Sequence, residues 1–400
     1  MSDRGDSKSS THGKRLTRRS FLGTAVGAAA TAAGGLGAAT AACAREVRRG
    51  PASADGEELA QAGATRKGAA PLPKRTLGRT GIKVTALSMG GIGTNTDVLR
   101  AGLDAGINFI HCAMGYGTLA ATAEAIAGRR NRLFLGLKYE RAGAADWDYL
   151  DRALRALAVD YVDVLFFPLN SPEAARDRAH LDFFTEVKKQ KKARFIGITS
   201  HGNIPPTLQA AVAAGFWDVL MPSYVPAPPE REALRPVLDQ AEKKKLGVVA
   251  MKTIGGIRPD ATRQMQATIK EVLGDSSVTT LCKGMTSYEL LDSCLATVAG
   301  PPKGARTASV HEHLAAQQGE TCFLCGNCPS CPRGVNCFDV VRAFDYYRAH
   351  AGPEVARRMY GLIPADQRGS ACDDCGQCER KCPYGVNIAR HVQAAHLMLG

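Results

Sequence analysis

Four hundred residues are enough for two domains with a sizeable core. A formal charge of +13 with only 6% aromatic residues shows no basic stripe interleaved with aromatics, so nucleic-acid binding is not expected. Arg4, Lys8, Lys14, Arg15, Arg18 and Arg19, against Asp3 and Asp6, put part of that charge in the first 42 residues.

Residues 1 to 16 are polar and basic, and Thr17-Arg18-Arg19-Ser20-Phe21-Leu22-Gly23 follows. Paired arginines before an apolar run of alanine and glycine are the mark of a twin-arginine export leader, here residues 1–43. The leader implies the twin-arginine translocase as a partner and a periplasmic or extracytoplasmic location. With Phe21, Leu22, Val26 and Leu36 as its few large side chains, the run is weakly hydrophobic for a spanning helix. A disordered tail with a chance arginine pair is the alternative. Thr40-Ala41-Ala42-Cys43 fits either a small-residue cleavage site or lipid attachment to Cys43, which would add a membrane anchor. Residues 44–74, charged and proline-bearing without periodicity, form a linker.

Between 75 and 305 short apolar runs alternate with amphipathic stretches. The runs predict strands over 84–89, 109–111, 133–137, 162–167, 195–198, 219–221, 248–251 and 278–282. Segments 149–158, 174–191, 230–245 and 287–298 carry apolar residues three and four apart and predict helices. This α/β alternation fits a closed (β/α)8 TIM barrel better than an open sheet, and function in such a barrel sits at the carboxyl ends of its strands. Cys112, Cys282 and Cys294 are expected as small core residues. The spacing of His111, Cys112 and His201 matches no metal-ligand pattern.

Residues 306–400 hold two copies of one pattern. The first is Cys322-Phe-Leu-Cys325-Gly326-Asn-Cys328-Pro-Ser-Cys331-Pro332, and the second Cys372-Asp-Asp-Cys375-Gly376-Gln-Cys378-Glu-Arg-Lys-Cys382-Pro383. Three cysteines at two-residue gaps wrap one corner of an iron-sulfur cube, and a fourth before proline points to a neighbouring cluster. Two 4Fe-4S clusters with crossed fourth ligands follow: Cys322, Cys325, Cys328 and Cys382 for one, Cys372, Cys375, Cys378 and Cys331 for the other. The last gap of the first copy is one residue short, so Cys337 competes with Cys331. Zinc or disulfides are the alternative use of such cysteines. Helical patterning over 338–350, 353–360 and 389–399 makes this a small α-helical, ferredoxin-like domain.

Three passages in the barrel region, Arg75-Thr-Leu-Gly-Arg-Thr-Gly81-Ile-Lys-Val-Thr, Asp104-Ala-Gly-Ile-Asn-Phe109-Ile-His111-Cys-Ala-Met-Gly-Tyr116-Gly117 and Leu154-Arg-Ala-Leu-Ala-Val-Asp160-Tyr161-Val-Asp163, resemble the aldo/keto reductases. Val248-Val-Ala-Met251-Lys252-Thr and the cysteine repeats resemble the branch whose barrel continues into a ferredoxin-like domain. The resemblance implies a small carbonyl or alcohol substrate and a tyrosine that gives the carbonyl its proton. A lysine that lowers the tyrosine's pKa is implied beside it, and Tyr116 and Lys138 match the two. His111 stands where the family has an aspartate and Pro168 where it has a histidine, so His111 is either a packed residue or a replacement acid.

For a nicotinamide, Tyr224 matches the stacking aromatic, Thr199 and Ser200 the carboxamide pair, and Gly284 and Thr286 the loop that grips a 2′-phosphate. Thr286 replaces an arginine, which argues against tight NADP(H) binding. The leading expectation is an exported oxidoreductase passing electrons between a barrel site and a membrane or extracytoplasmic redox partner through two clusters. An NADPH-dependent carbonyl reductase with structural clusters and a non-enzymatic electron carrier on a degenerate barrel are the alternatives.

Overall fold

In the computed structural model the described residues are 71–140, 146–226, 228–253, 262–300, 319, 322–328, 330–348 and 352–400. The leader, most of the linker and Cys43 lie outside them. All described residues fall in one compact unit, Glu58–Gly400.

A short antiparallel hairpin, β1 (Lys74–Thr76) with β2 (Lys83–Thr85), precedes the barrel. Leu77, Ile82 and Val84 pack with the lumen residues Phe109, Val164, Phe166, Val219 and Val249, which plugs the amino-terminal end. Gly78 makes this approach feasible: its φ is 52°, and a Cβ there would lie 2.2 Å from the Gly247 nitrogen. The hairpin corrects the predicted strand 84–89. That run divides at Ala86, its first part sealing the barrel floor and its second beginning the wall.

The wall is β3 (Leu87–Gly90), β4 (Phe109–Ala113), β5 (Phe134–Lys138), β6 (Val162–Pro168), β7 (Ala193–Ser200), β8 (Val219–Pro222), β9 (Gly247–Met251) and β10 (Thr280–Gly284). All neighbours are parallel, and β10 closes onto β3, a TIM barrel. Around it run α1 (Thr96–Asp104), α2 (Leu119–Ile126), α3 (Trp147–Leu157), α4 (Pro172–Arg176), α5 (Ala179–Lys189), α6 (Ile204–Ala214), α7 (Pro228–Lys243), α8 (Thr262–Gly274) and α9 (Tyr288–Ala299). The predicted helix 174–191 is two helices, because Asp177 leaves the helical conformation and its carboxylate accepts the Ala179 N–H at 2.9 Å.

Period-two alternation sorts side chains between two cores. Ile110, Leu135, Leu165, Ile198 and Leu220 face the helices, while Phe109, Val164, Phe166 and Met221 face the lumen. Cys112 and Cys294 lie in the outer core and Cys282 in the lumen core.

The carboxyl-terminal part contributes α10 (Cys337–Arg348), α11 (Gly352–Gly361), the one-turn α12 (Gln377–Arg380) and α13 (Ile388–Leu399). Phe323, Val340, Val341, Tyr346, Tyr360 and Val392 form its core, which continues into barrel residues Ile92, Tyr116, Val225 and Ala267. Polar links between the parts include the Tyr384 hydroxyl to Glu230, Lys252 to the Tyr346 hydroxyl, and the Asn203 N–H to the Gly326 carbonyl at 3.3 Å. No described helix is long and apolar enough to cross a membrane.

Candidate active site and sulfur sites

Along β4 and β5 the alternation that turns Phe109 and Phe134 into the lumen also turns His111 and Lys138 inward, nearer the carboxyl end. Tyr116 belongs to the one-turn helix Met114–Tyr116 just past β4, which Gly117 ends at φ 70°. Lys138 Nζ lies 4.7 Å from the centre of the Tyr116 ring, over its face. Its ammonium is taken up by Glu140, 3.1 Å away. Glu140 also accepts the Gly115 N–H at 2.7 Å and the Tyr149 hydroxyl at 2.9 Å. Burial opposes charge on that carboxylate, but Lys138 and these donors outweigh it and hold its pKa below the usual range. Glu140 thus supplies the counter-charge that His111 cannot.

His111 packs edge-on against Phe166, centroids 5.4 Å apart, and against Tyr116 at 6.2 Å. It is buried, its Nε2 has no partner among the described residues, and burial with Lys138 and Lys252 nearby pushes its pKa down to about 3. At neutral pH it is an uncharged packing residue. Pro168 ends β6 and brings no polar group.

Helix α10 covers this mouth. Its Phe338 ring sits 6.0 Å from His201, while Arg342 and Tyr346 reach the surroundings of Tyr116. Lys252, held at φ 58° just past β9, donates to the Tyr346 hydroxyl. That left-handed backbone breaks the strand's alternation, which would otherwise turn Lys252 outward. Burial, Tyr346 and Glu140 drive the Tyr116 phenol well above its ordinary pKa, against Arg342. For Tyr346, Lys252 and Arg342 overcome burial and lower it.

Glu140, Arg342 and Tyr346 were not singled out from sequence, and Lys252 stood there only within the branch motif, with no role. Glu140 follows Lys138 by two residues, a spacing that returns an extended chain to the same side. The other three become visible only once α10 is docked.

The residues matched to a nicotinamide site are spread over the carboxyl ends of β7 and β10 and the segment past β8. Thr199 and Ser200 end β7, both buried; Ser200 Oγ donates to the Gly202 carbonyl at 3.3 Å. Gly284 ends β10 beside Gly90, and Thr286 is half-buried in the connection to α9. Tyr224 is a correction. It shares the outward parity of Leu220, lies in the barrel-helix layer, and donates its hydroxyl to Asp275 at 2.8 Å, so it is not available to stack on a ligand at the mouth. Asp275 also accepts from Ser277 at 2.6 Å and Arg235 at 3.1 Å. With the Ser277 N–H at 3.0 Å as a further donor, Asp275→Ala strips four donors of a buried acceptor, and urea unfolding is expected to show a loss of about 3 kcal/mol.

The cysteines gather in two neighbourhoods. Burial raises the thiols of Cys322, Cys325 and Cys328, and Cys382 from the second repeat adds to all three. Elsewhere Cys331, Cys337, Cys372, Cys375 and Cys378 line one cavity with Val335 and Val392. The two repeats share a backbone device. Leu324 and Asp374 have φ 55° and 59°, Gly326 and Gly376 79° and 68°, so each Cys-x-x-Cys-Gly loop folds back on its sulfurs. The Leu324 N–H points at Cys322 Sγ and the Arg333 N–H at Cys331 Sγ, each at 3.4 Å. Among the described residues no group of three or more His, Cys, Asp or Glu is arranged to hold a metal ion, and Cys112 lies in the outer, helix-facing core.

A model of the aldo/keto reductase family matches residues 94–299, more than half of the chain. The chain belongs to the aldo/keto reductase family. It is therefore an oxidoreductase. A Pseudomonas aeruginosa protein proposed to be an aldo-keto reductase superposes with a TM-score of 0.50 at 20% identity, over 57% of this chain and 97% of that one. The apo form of aldo-keto reductase AKR11C1 from Bacillus halodurans gives 0.50 at 19% identity, over 60% and 95%. At such identities the likeness is one of fold. No curated protein sequence matches the chain. Within this aldo/keto reductase the matched residues stop before the cysteine repeats, so its carboxyl-terminal part rests on the residues and geometry described above.

Proposed function

We propose that this aldo/keto reductase is an exported iron-sulfur oxidoreductase acting on a small carbonyl or alcohol compound, with two 4Fe-4S clusters linking its barrel site to an extracytoplasmic redox partner. One observation carries the reading: the first cysteine loop is pressed onto the barrel mouth. Gly326, between Cys325 and Cys328, is so close that a Cβ would fall 1.9 Å from the His201 carbonyl oxygen. His201 and Gly202 are braced in turn by Asn170, whose Oδ1 accepts both N–H groups at 2.8 and 3.1 Å.

The fit of the sulfur sites rests on the backbone. Left-handed residues on both sides of Cys325 and of Cys375 bend these loops, and the Leu324 N–H reaches sulfur; such N–H groups suit an anionic cluster and tune its potential. Cys322, Cys325, Cys328 and Cys382 would hold one cluster; Cys372, Cys375, Cys378 and Cys331 would hold the other, with Cys337 hydrogen-bonded to Cys331 beside it. When bound, such clusters supply one-electron transfer. The chain's own part is to seat substrate among Tyr116, Lys138 and Glu140, beneath α10. No hydride step is assigned, because Tyr224 faces away and Thr286 carries no cation. The Arg18-Arg19 leader motif supports export by the twin-arginine translocase, since clusters are installed before export.

A second reading, NADPH-dependent carbonyl reduction with structural clusters, draws on family membership and on the buried Thr199 and Ser223 hydroxyls, unpartnered among the described residues. Anaerobically reconstituted protein separates the two when a carbonyl panel is offered with reduced methyl viologen or with NADPH. Turnover with the viologen and not with NADPH is expected. NADPH turnover that survives removal of iron would overturn the proposal.

A further inference from the structure

Two tyrosine-lysine pairs meet at the barrel mouth, and they are not equivalent. In the pair matching the family pattern, Lys138 lies over the Tyr116 ring and spends its charge on Glu140. In the other, Lys252 donates directly to the Tyr346 hydroxyl and also lies 4.5 Å from that ring's centre. Tyr346 comes from α10, outside the barrel, and is buried at 8% exposure. The two phenols are close enough to influence each other's ionisation.

We propose that Tyr346, held by Lys252, is the proton donor of the barrel mouth, with Tyr116 orienting the substrate oxygen. The carboxyl-terminal domain would then complete the active site. The inference rests on the carbonyl or alcohol chemistry proposed above. In the reducing direction the Tyr346 O–H bond breaks as a new O–H bond forms on the substrate oxygen, leaving phenolate beside the Lys252 ammonium. Two electrons come from a reduced ferredoxin-class carrier, carbon takes its proton from water, and a second water re-protonates the phenolate. A carbonyl thus becomes an alcohol at the expense of two electrons and two protons.

The electrostatics agree with this division. Lys252 past β9, Lys138 at the end of β5 and Arg342 on α10 all favour Tyr346 phenolate, outweighing burial. Tyr116, just past β4, feels Glu140 and Tyr346 as well as burial and is held in its neutral form. A phenol nearer working pH is the better general acid and base.

The test uses full-length reconstituted protein, benzaldehyde as the carbonyl probe, reduced methyl viologen as donor, and the variants Tyr346→Phe, Tyr116→Phe, Lys252→Met and Lys252→Arg. Tyr346→Phe is expected to cost about a hundredfold in kcat, the usual worth of a general acid, and to erase the basic limb of the pH profile. Tyr116→Phe should lose less and keep that limb, and Lys252→Arg should recover part of what Lys252→Met loses.

An ultraviolet phenolate titration, which needs no turnover, should show one phenol ionising below the ordinary tyrosine value of about 10. That phenol should disappear in Tyr346→Phe and shift upward in Lys252→Met. If Tyr116→Phe loses more than Tyr346→Phe, or if no early-ionising phenol is lost with Tyr346, the assignment is overturned. A wild-type protein inactive with viologen but showing the Tyr346 titration would sink the proposed function and leave the pair standing.

Discussion

Serine in place of Cys382 is expected to remove about half of the iron and sulfide from anaerobically reconstituted protein and to leave the remainder in one intact cluster. Cys382 belongs to the second repeat by sequence, yet its electrostatic neighbours are Cys322, Cys325 and Cys328 of the first. Cys382→Ser should therefore unload the first sulfur neighbourhood and spare the cavity lined by Cys331, Cys372, Cys375 and Cys378. Combining it with Cys372→Ser should remove the rest. The same assay decides between Cys331 and Cys337, which line that cavity together. Cys331 lies in the loop with an N–H aimed at its sulfur, whereas Cys337 is buried at the first turn of α10. Cys331→Ser is expected to cost the second cluster, and Cys337→Ser to keep it. Full iron content in Cys382→Ser, or loss confined to the second site, would refute the crossed ligation.

How much could be read before folding follows from how local each signal is. The eight barrel strands were legible because lumen and helix layers impose opposite demands on alternate residues, as at Val164, Leu165 and Phe166. The hairpin was not, since Val84 and Leu87 are apolar for different reasons, one plugging the floor and the other facing a helix. Position 111 was legible as a residue that could not supply negative charge, whereas the carboxylate that answers Lys138 arrived from Glu140. Tyr224 misled because identity within a motif carries no information about parity. It sits one residue beyond Ser223, whose bridge to Met251 continues the sheet register, and so points outward. Tyr346 and Arg342 lie in a segment whose helical periodicity predicts a helix and a buried face but says nothing of what that face meets.

The second large effect concerns acid. Burial, reinforced by Lys138 and Lys252, lowers His111 from 6.5 to about 3. A folded-state pKa below the unfolded one means that the unfolded chain takes up the proton first as pH falls. The stability held above pH 6.5 is then lost progressively on the way to about 3. For a group only 3% exposed the full shift counts. Linkage with these two pKa values gives a loss of about 2 kcal/mol at pH 5 and about 3 kcal/mol at pH 4.

Other groups move in the same window. His201, lowered by burial and then by Arg342, Lys138 and Lys252, acts in the same direction, as does Glu140. Asp345 acts oppositely, because burial raises it from 3.8 to about 6, so its contribution is present at low pH and lost as pH rises through 6. A wild-type profile alone would therefore mix these terms. The difference between wild type and His111→Leu isolates one of them. Leucine keeps the contact with Phe166 and removes a buried nitrogen that has no partner, so the variant should be no less stable at pH 7.5. From pH 6.5 downward it should gain on wild type by about 2 kcal/mol at pH 5 in denaturant midpoints converted with a common slope. Parallel profiles over that range would mean that the imidazole takes up its proton in place, which would contradict a dry, cation-flanked position for His111.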